Sequence, residues 1–166
     1  MIKDQAVIER LAKSHDRADF TCGVAALDTY LTTRAGQDQR NHVAFPYVLT
    51  FGDDPHVLGY YTLSASAIAL TALPPRLAKL TRYELAPAAV LGRLAVDRRL
   101  QGQGYGAHLL IDALRRIARS GDMAVLVVIV DPKDQAAADF YTRFGFMPLQ
   151  GAGRRMFIPF KTIKTI

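Results

Sequence analysis

The sequence predicts an α+β fold, in which one mixed sheet of the α/β type is flanked by helices. Two strand-forming runs joined by a turn predict an antiparallel hairpin in the first half of the chain. In the second half, strand and helix patterns alternate, which indicates that parallel strands join the same sheet. A length of 166 residues is typical of one domain with one core, so we expect residues 1–166 to form a single domain.

The first half of the chain predicts a helix followed by the hairpin. Residues 24–39 carry apolar side chains at helical spacing. Strand-forming runs follow at 44–51 and 57–63, and the Gly-Asp-Asp-Pro sequence at 52–55 predicts the turn between them. The uncharged stretch at 57–75 is nearly as long as a membrane span. Its Gly, Ser, Thr and Tyr residues and its final Pro-Pro pair instead favour a buried strand followed by an apolar loop.

The second half predicts alternating strands and helices. Gly121 and Gly145 stand where the two longer helices end. The run at 123–130 is almost purely apolar and β-branched, which is typical of a central strand covered on both faces. The predicted elements are a short helix at 74–80, a strand at 88–96, a helix at 105–119, a strand at 123–130, a helix at 133–144, and strands at 146–149 and 154–160.

Charge and composition narrow the class of protein. A formal net charge of +6 favours a polyanionic partner such as nucleic acid, anionic lipid or a phosphorylated ligand, although a generally basic protein shows the same value. The one cysteine, Cys22, excludes an internal disulfide, and with four scattered histidines it offers no zinc site, so we expect no metal. We expect Cys22 to be a small buried residue near a helix start. The segment Met1–Asp4 carries charges at Lys3 and Asp4 where a signal peptide would need an apolar run, and we expect a cytoplasmic protein without a membrane span.

A glycine-rich loop carries the clearest chemical signal. Gly102, Gly104 and Gly106 lie between a predicted strand and a predicted helix, where the backbone can approach a ligand closely. The N–H groups and dipole of the helix start favour an anion, and Arg98 and Arg99 add positive charge beside it. The spacing fits neither a P-loop nor the dinucleotide fingerprint. The loop taken by itself is therefore either a phosphate cradle or a plain tight turn.

Two motifs in the right order resemble the GNAT superfamily of acetyltransferases. Gln101-x-x-Gly104-x-Gly106 is similar to the loop that binds the pyrophosphate of acetyl-CoA in that superfamily. The Asp-Phe-Tyr-x-x-Phe-Gly-Phe sequence at 139–146 resembles its "FYxxxGF" signature. The resemblance implies a GNAT fold, with a mostly antiparallel sheet that is splayed between its fourth and fifth strands. It also implies an N-acetyltransferase that uses acetyl-CoA as co-substrate.

Dispersed residues resemble one branch of this superfamily, the acetyltransferase toxins of bacterial type II toxin–antitoxin pairs. Those enzymes acetylate the α-amino group of aminoacyl-tRNA and so block translation. The resemblance implies aminoacyl-tRNA as substrate and a small antitoxin protein as partner, and relatives of this kind often form homodimers. The matching segments are Ser14-His15-Asp16, Phe20-x-Cys22-Gly23, Leu27-Asp28-x-Tyr30-Leu31, Gly59-Tyr60-Tyr61-Thr62-Leu63, Gly92-Arg93-Leu94-Ala95-Val96-Asp97 and Phe157-Ile158-Pro159.

The resemblance also assigns residues to the acetyl-CoA site. Gln101 stands where many relatives carry arginine, so the backbone N–H groups of the loop must hold more of the pyrophosphate. Tyr141 matches the general acid that protonates the departing thiolate of CoA, although its place on the apolar stripe of a helix also fits a core tyrosine. The residues implied for acetyl-CoA are Leu94, Ala95, Val96, Gln101, Gly102, Gln103, Gly104, Tyr105, Gly106 and Phe140.

The absence of a general base from the motifs bears on which kind of amine is the substrate. The motifs contain no His or Glu that would deprotonate the substrate, and Glu84 lies in a variable loop. An α-amino group has a pKa of about 8 and a lysine about 10.4, so deprotonation at pH 7 costs roughly 1.4 and 4.6 kcal/mol respectively. The α-amino group is therefore favoured, unless a base outside the motifs or a chain of waters takes part.

Four basic residues fit a tRNA partner. Arg76, Lys79 and Arg82 cluster before the fourth strand, where a solvated helix face is the alternative interpretation. Arg93 interrupts an apolar strand and needs either a salt bridge or a substrate phosphate.

Two other functions fit the sequence: a GNAT enzyme that acetylates a small amine or a protein N-terminus, and a non-catalytic module that binds acyl-CoA. The intact glycine loop and Tyr141 favour an enzyme over the module.

Overall fold

Seven strands form one mixed sheet in the computed structural model, which describes residues 5–166. Met1–Asp4, on which the expectation about a signal peptide rests, lie outside the described residues. The strands are β1 (Ala6–Arg10), β2 (Phe45–Phe51), β3 (Asp54–Ala69), β4 (Leu85–Val96), β5 (Val127–Val130), β6 (Met147–Pro148) and β7 (Met156–Pro159). Their order in the sheet is β1-β2-β3-β4-β5-β7-β6.

The pairing of the strands combines antiparallel edges with a parallel centre. β1 pairs with β2, β2 with β3, and β7 with both β5 and β6, all antiparallel. β4 and β5 are parallel, from Ala88 opposite Val127 to Leu91 opposite Val130. β5 ends at Val130, whereas β4 continues to Val96, past the end of this ladder. The mixed sheet predicted from the sequence is therefore confirmed.

The helices occupy most of the predicted positions. They are α1 (Ala25–Thr33), α2 (Ala35–Arg40), α3 (Pro75–Ala78), α4 (Tyr105–Ser120), α5 (Gln135–Arg143) and α6 (Phe160–Ile163), with single 3₁₀ turns at Leu70–Ala72 and Arg98–Leu100. Gly121 follows α4 with φ +65° and Gly145 follows the end of α5 with φ +95°, so both glycines end helices as predicted. No helix within residues 5–166 is long and apolar enough to cross a membrane.

The prediction of one continuous helix at 24–39 is wrong, because the structure divides it into α1 and α2 at Arg34. The hydroxyl of Thr33 donates to the carbonyl of Thr29 at 2.6 Å, and that of Thr32 donates to the carbonyl of Asp28 at 3.2 Å. Such bonds from threonine to the preceding turn compete with the regular ladder and bend helices. The paired threonines thus explain the break between α1 and α2.

Three strand predictions also needed correction. β1 was missed because none of its side chains is buried and it lies at the edge of the sheet, where Val7 is 37% exposed. β3 begins at Asp54 and runs to Ala69, so the predicted turn is shorter and the predicted apolar loop is partly strand. The strand predicted at 123–130 begins only at Val127 in the structure, as β5, because residues 121–124 are exposed.

The chain divides into two compact units. The first comprises the chain up to Ser64 together with Arg93–Ala113, and its core includes Phe20, Leu31, Val48 and Tyr60. The second comprises Ala65–Gly92 and Leu114–Ile166, with a core of Ile68, Leu73, Leu77, Ala88, Val127, Ile129 and Phe157. The expectation of a single domain stays a prediction.

Within the first unit, a glycine lets α4 lie directly against the sheet. A Cβ atom added to Gly59 of β3 would lie 3.1 Å from Cδ1 of Leu109 on α4 and 3.4 Å from the carbonyl oxygen of Ala95 on β4. Since Leu109 is fully buried, this contact leaves no room for a side chain at position 59. The close contact between Gly59 and Leu109 positions the first turns of α4, which follow the glycine-rich loop.

Candidate functional site

The glycine-rich loop is held at its start by a buried carboxylate. Asp97, which follows β4, has no exposed side-chain surface. Its Oδ1 accepts hydrogen bonds from the backbone N–H and Nε of Arg99 at 3.0 and 2.9 Å. Its Oδ2 accepts from Nη2 of Arg99 and from the backbone N–H of Thr21, both at 3.1 Å. The carboxylate thereby joins the segment before α1 to the turn that opens the loop.

The charge of Asp97 is stabilised in place. Desolvation by burial acts to raise the pKa of this carboxyl, but the hydrogen bonds from the Arg99 side chain, the Arg99 backbone and the Thr21 backbone outweigh it and hold the pKa below its usual value. Arg99 is consequently an ion-pair partner of Asp97 as well as a cation beside the loop. Arg98 is exposed, and its guanidinium packs near Gly23.

A second brace uses the side chain of Gln101. Its Nε2 donates to the carbonyl of Cys22 at 2.7 Å and to the carbonyl of Val96 at 2.8 Å. Both amide hydrogens of Gln101 therefore bind the protein itself, and the contact between Gln101 and acetyl-CoA stays a prediction. Sequence reasoning missed this brace because its partner lies 79 residues away. Cys22 is buried just before α1, so the structural interpretation of this cysteine is confirmed.

The loop between these braces presents backbone donors to solvent. Residues 101–104 are exposed, and Gly102 and Gly104 adopt φ values of +78° and +87°, which side chains rarely adopt. The N–H of His108 donates to the carbonyl of Gly104 at 3.1 Å. The amides of Gly106 and Ala107 precede that first helical bond and point out of the helix start. This arrangement fits the anion site expected from the sequence.

The predicted strand and loop residues for acetyl-CoA are continuous in the first unit. Ala95 is buried in β4, whereas Leu94 and Val96 on either side of it are half-buried. Gln103 donates from its amide to the carbonyl of Arg99 at 3.1 Å, and Tyr105 is buried at the first position of α4. The role of each in binding acetyl-CoA stays a prediction.

Tyr141 lies in the second unit, on the buried face of α5. Its ring packs against Phe140 and Phe146, with centroids 5.3 and 5.4 Å away. Burial, followed by the charge of Asp131, raises the pKa of Tyr141 to about 12. Within residues 5–166, its hydroxyl makes no hydrogen bond. The buried tyrosines Tyr30 and Tyr60 differ in this respect, because each donates from its hydroxyl to an oxygen of the protein.

Arg93 is half-buried on β4 and stacked on an aromatic ring. Its guanidinium carbon lies 3.6 Å above the ring centroid of Tyr30, and its Nη1 is 3.5 Å from Oγ1 of Thr62. In the part of the chain that the structure describes, no carboxylate forms an ion pair with it. The cation is therefore held by a cation–π contact, and the salt bridge considered from the sequence is not formed.

The other three basic residues are exposed around α3. Arg76 lies on the helix, Lys79 caps its end and Arg82 follows. Nη2 of Arg76 lies 3.9 Å from the sulfur of Met147, which is the first residue of β6. The structure brings these cations to one segment of the second unit.

Within residues 5–166, no group of three or more His, Cys, Asp and Glu side chains is arranged to hold a metal ion.

The mixed sheet and the glycine loop that opens α4 are the arrangement expected from the two sequence motifs. The sequence model of the acetyltransferase (GNAT) family matches residues 17–146, and the chain belongs to that family. The resemblance stated from the two motifs is therefore confirmed, and the protein is an acetyltransferase. Acetyl-CoA is the acyl donor characteristic of this family.

Curated relatives within the family are toxins. The chain is 33% identical over 162 residues to a probable toxin TacT of Sinorhizobium fredii, covering 92% of this chain and 89% of the relative. It is 33% identical over 139 residues to a tRNA-acetylating toxin of Mycobacterium tuberculosis, covering 82% of this chain and 81% of that protein.

Solved structures show the same similarity. The fold matches AtaT complexed with acetyl-methionyl-tRNAfMet with a TM-score of 0.90 and 35% identity, over 96% of this chain and 98% of that one. AtaTR bound with acetyl-CoA matches with a TM-score of 0.85 and 35% identity, over 98% of both chains. A tyrosine-to-phenylalanine mutant of AtaT, bound to the C-terminus of the antitoxin AtaR, matches with a TM-score of 0.83 and 34% identity, over 98% of both chains.

Replacing Asp97 by Asn is expected to destabilise the protein at neutral pH by about 1.5–3 kcal/mol, because charge-assisted bonds are removed and an NH₂ group faces the donors. The native pKa lies below the unfolded value of about 3.9, so the stabilisation by Asp97 is complete above that value. It disappears as the pH falls through the native pKa. Urea unfolding should therefore show the same difference between the two proteins at pH 7 and 5, and a smaller difference at pH 3.

The control is Asp53→Asn in the exposed β2–β3 turn, which makes the same change of charge at a solvated site. Equal unfolding free energies for Asp97→Asn and the unmodified protein at pH 7 would contradict the bracing role of the carboxylate.

Proposed function

We propose that this protein is the toxin of a type II toxin–antitoxin pair and acts in the cytoplasm. It transfers the acetyl group of acetyl-CoA to the α-amino group of aminoacyl-tRNA and thereby blocks translation. In this proposal residues 1–166 work as one acetyltransferase domain, since the matched residues 17–146 run through both compact units. The similarity to TacT, to the tRNA-acetylating toxin and to AtaT with acetyl-methionyl-tRNAfMet supports the substrate.

The observation that carries the proposal is the hydroxyl of Tyr141. Buried tyrosine hydroxyls normally have a hydrogen-bond partner, and those of Tyr30 and Tyr60 have one. Tyr141 packs its ring in the core, yet none of the residues 5–166 accepts a hydrogen bond from its hydroxyl. Among residues 5–166 no buried side-chain oxygen lacks a partner, so the hydroxyl of Tyr141 reaches the protein surface, where a substrate can meet it.

The raised pKa of Tyr141 keeps its hydroxyl protonated. With a pKa of about 12, it carries its proton throughout the physiological range. When the neutral amine attacks the thioester carbon and the C–S bond breaks, Tyr141 donates to the departing sulfur. The amine nitrogen gives up one proton as the amide forms, and that proton replaces the one that Tyr141 supplies. Stabilising the leaving thiolate lowers the barrier to collapse of the tetrahedral intermediate.

The braced loop holds the phosphates of the donor. Backbone N–H groups of residues 102–107 bind the pyrophosphate at the start of α4, since the amide of Gln101 is engaged with Cys22 and Val96. The pantetheine arm pairs with the backbone of Leu94 and Val96, where β4 extends beyond its ladder with β5. Ala95, Gln103, Tyr105 and Phe140 complete the contacts.

An α-amino group suits this site better than a lysine does. The carboxylate that affects the pKa of Tyr141 belongs to Asp131, and it is paired with Arg155 through bonds of 2.8 and 3.1 Å. Both oxygens of Asp131 are therefore occupied by Arg155. A substrate amine with a pKa near 8 needs little help at pH 7, which is the property of an aminoacyl ester's α-amino group.

Positive charge provides the interaction with tRNA. Arg76, Lys79 and Arg82 are exposed on one segment, and Arg93 lacks a carboxylate partner in the described part of the chain. With a net charge of +6, the surface favours a polyanion such as nucleic acid over a cationic polyamine. An antitoxin that binds this toxin, as AtaR binds AtaT, and a homodimer complete the proposed assembly.

The proposal is tested by incubating the purified protein with labelled acetyl-CoA and charged tRNA. We expect the label in N-acetyl-aminoacyl ester, which mild alkali releases as N-acetyl amino acid, and none with uncharged tRNA. Parallel reactions with a polyamine and with a peptide bearing a free N-terminus cover the other amines. Label in one of these but not in charged tRNA would replace the proposed substrate, and no transfer to any amine would favour a binding module.

Replacing Gly104 by Val is expected to weaken acetyl-CoA binding by roughly 10- to 100-fold, the cost of losing one charge-assisted hydrogen bond or slightly more. A β-branched residue cannot easily adopt φ +87°, and its side chain would stand in the path of the pyrophosphate. Titration calorimetry measures the affinity. Gly151→Val is the control, since Gly151 has φ +74° and open space around it. Unchanged affinity in a folded Gly104→Val protein would remove the loop from the donor site.

Replacing Tyr141 by Phe is expected to lower kcat by about 10²- to 10⁴-fold, with little change in the KM for acetyl-CoA. Melting temperature should stay the same, because the hydroxyl makes no bond to the described residues that the substitution could break. Tyr60→Phe is the matched control, since it removes a hydroxyl that donates to the carbonyl of Leu27 at 2.7 Å and should lower stability more than turnover. Full activity in Tyr141→Phe would make this residue a core tyrosine.

The affinity for tRNA is expected to fall steeply with salt, since each neutralised phosphate releases counterions. Reversing the charge of Arg76 and Arg82 together should flatten the slope of log K against log salt by about 1 for each phosphate that is no longer neutralised. Filter binding with uncharged tRNA measures the slope. Lys161→Glu with Lys164→Glu makes the same change in net charge at exposed positions in and after α6. Equal slopes for both double variants would show that the charge cluster does not bind the tRNA.

A further inference from the structure

A closed loop presents the basic residues of the second unit. We name residues 70–84 the basic loop. Its ends meet where the N–H of Leu70 donates to the carbonyl of Glu84 at 3.1 Å. Leu73 and Leu77 are buried and pack into the core of the second unit. The N–H of Gln150 donates to the carbonyl of Ala72 at 3.4 Å, which ties the loop to the turn before β7. The basic loop is thus anchored from inside.

The outer surface of the basic loop carries an exposed aromatic ring. Tyr83 is 79% exposed, and Leu80 within the loop and Leu85 beside it are 46% and 57% exposed. The backbone N–H of Tyr83 donates to Oγ1 of Thr81 at 3.1 Å, a local turn that sets the backbone at this position. Packing explains Leu73 and Leu77 but not Tyr83, whose ring has little contact with the protein. A large exposed aromatic next to exposed leucines indicates a binding surface.

The charges around Tyr83 identify its partner as nucleic acid. Arg76, Lys79 and Arg82 lie in the same loop, against the one carboxylate of Glu84. Cations interleaved with an exposed ring are what single-stranded nucleic acids bind, since the cations follow the phosphates and the ring stacks on a base. The centre of a protein–protein interface is instead depleted of charged side chains. The composition of the basic loop therefore favours RNA over a protein partner.

The basic loop also contacts β6, the strand that follows the helix carrying Tyr141. Nη2 of Arg76 contacts the sulfur of Met147, and the preceding residue, Phe146, packs its ring on Tyr141. An aminoacyl-tRNA carries its reactive amine at a single-stranded 3′ end, which must reach the Tyr141 hydroxyl in the proposed reaction. The contact of Arg76 with Met147 places the basic loop in the same side-chain neighbourhood as Phe146, which is why we consider this loop for the unpaired bases of that end.

From these observations, and on the basis of the proposed function, we propose that Tyr83 stacks on a base of the single-stranded 3′ end of the tRNA. Arg76, Lys79 and Arg82 contact its phosphates. The ring recognises an unpaired base and the cations recognise the backbone, so the loop distinguishes RNA with a free end from duplex alone. Tyr83 is thus a substrate-positioning residue for the acceptor end.

The experiment compares two RNA hairpins that share one acceptor stem, one with a single-stranded CCA end and one blunt. Fluorescence anisotropy measures their affinity for full-length protein carrying Tyr141→Phe, with and without Tyr83→Ala. We expect Tyr83→Ala to weaken binding of the overhanging RNA by about 5- to 150-fold, the range for loss of one base–aromatic stack. Binding of the blunt RNA and the salt slope should not change, and Tyr83→Phe should bind like the unmodified loop. Met123→Ala, at another exposed position, is the control.

Activity separates this inference from the proposed function. With Tyr141 intact, Tyr83→Ala should raise the KM for charged tRNA and leave the KM for acetyl-CoA unchanged. If the unmodified protein acetylates charged tRNA but Tyr83→Ala binds the overhanging RNA equally well, the stacking role is wrong and the function stands. If Tyr83→Ala instead dissolves a dimer or weakens an antitoxin complex without changing RNA affinity, the surface binds protein and the inference is overturned. Absence of transfer to charged tRNA by the unmodified protein overturns the function itself.

Discussion

The glycine loop depends on one buried carboxylate and one side-chain amide. Asp97 accepts four hydrogen bonds at the end of β4, and two of its donors belong to the backbone of segments on either side. Gln101 adds bonds to Cys22 and Val96. Together they position the loop before any ligand arrives, so an anion meets N–H groups that are already in place. A site organised in this way avoids the cost of ordering a loop on binding.

Three arginines, Arg93, Arg99 and Arg155, have two kinds of partner. Arg99 and Arg155 are locked to Asp97 and Asp131, where they hold backbone segments and neutralise carboxylates. Arg93 rests instead on the ring of Tyr30, whose hydroxyl donates to Asp38 at 2.8 Å. Burial and this bond raise the pKa of Tyr30 to about 12, so the ring stays neutral beneath the guanidinium. Arg93 therefore keeps its charge available, which is the property that a phosphate ligand requires.

Local patterns in the sequence predicted much of the fold and the glycine loop, because helix period, turn residues and short motifs are local signals. The alternation of strands and helices after Ala88 and the glycines at 121 and 145 belong to this class. What the sequence could not provide was contact between distant residues, such as Gln101 with Cys22 or Thr21 with Asp97. The sequence also could not show what surrounds the Tyr141 hydroxyl, because an apolar helical stripe indicates only which face of the helix is buried. β1 was missed because an edge strand has few buried side chains to mark it.

The braces of the glycine loop link residues 76 and 79 positions apart, so the anion site exists only after the start of the chain has docked onto its middle. Contacts of such separation are typical of late steps in folding, because the chain entropy of a long loop must be overcome first. A ligand that binds there recognises only folded molecules. At one hundred times its dissociation constant it adds about 2.7 kcal/mol to the free energy of unfolding. In the proposed complex with acetyl-CoA, the lifetime of the folded protein against proteases would thereby be coupled to the supply of acyl-CoA in the cell.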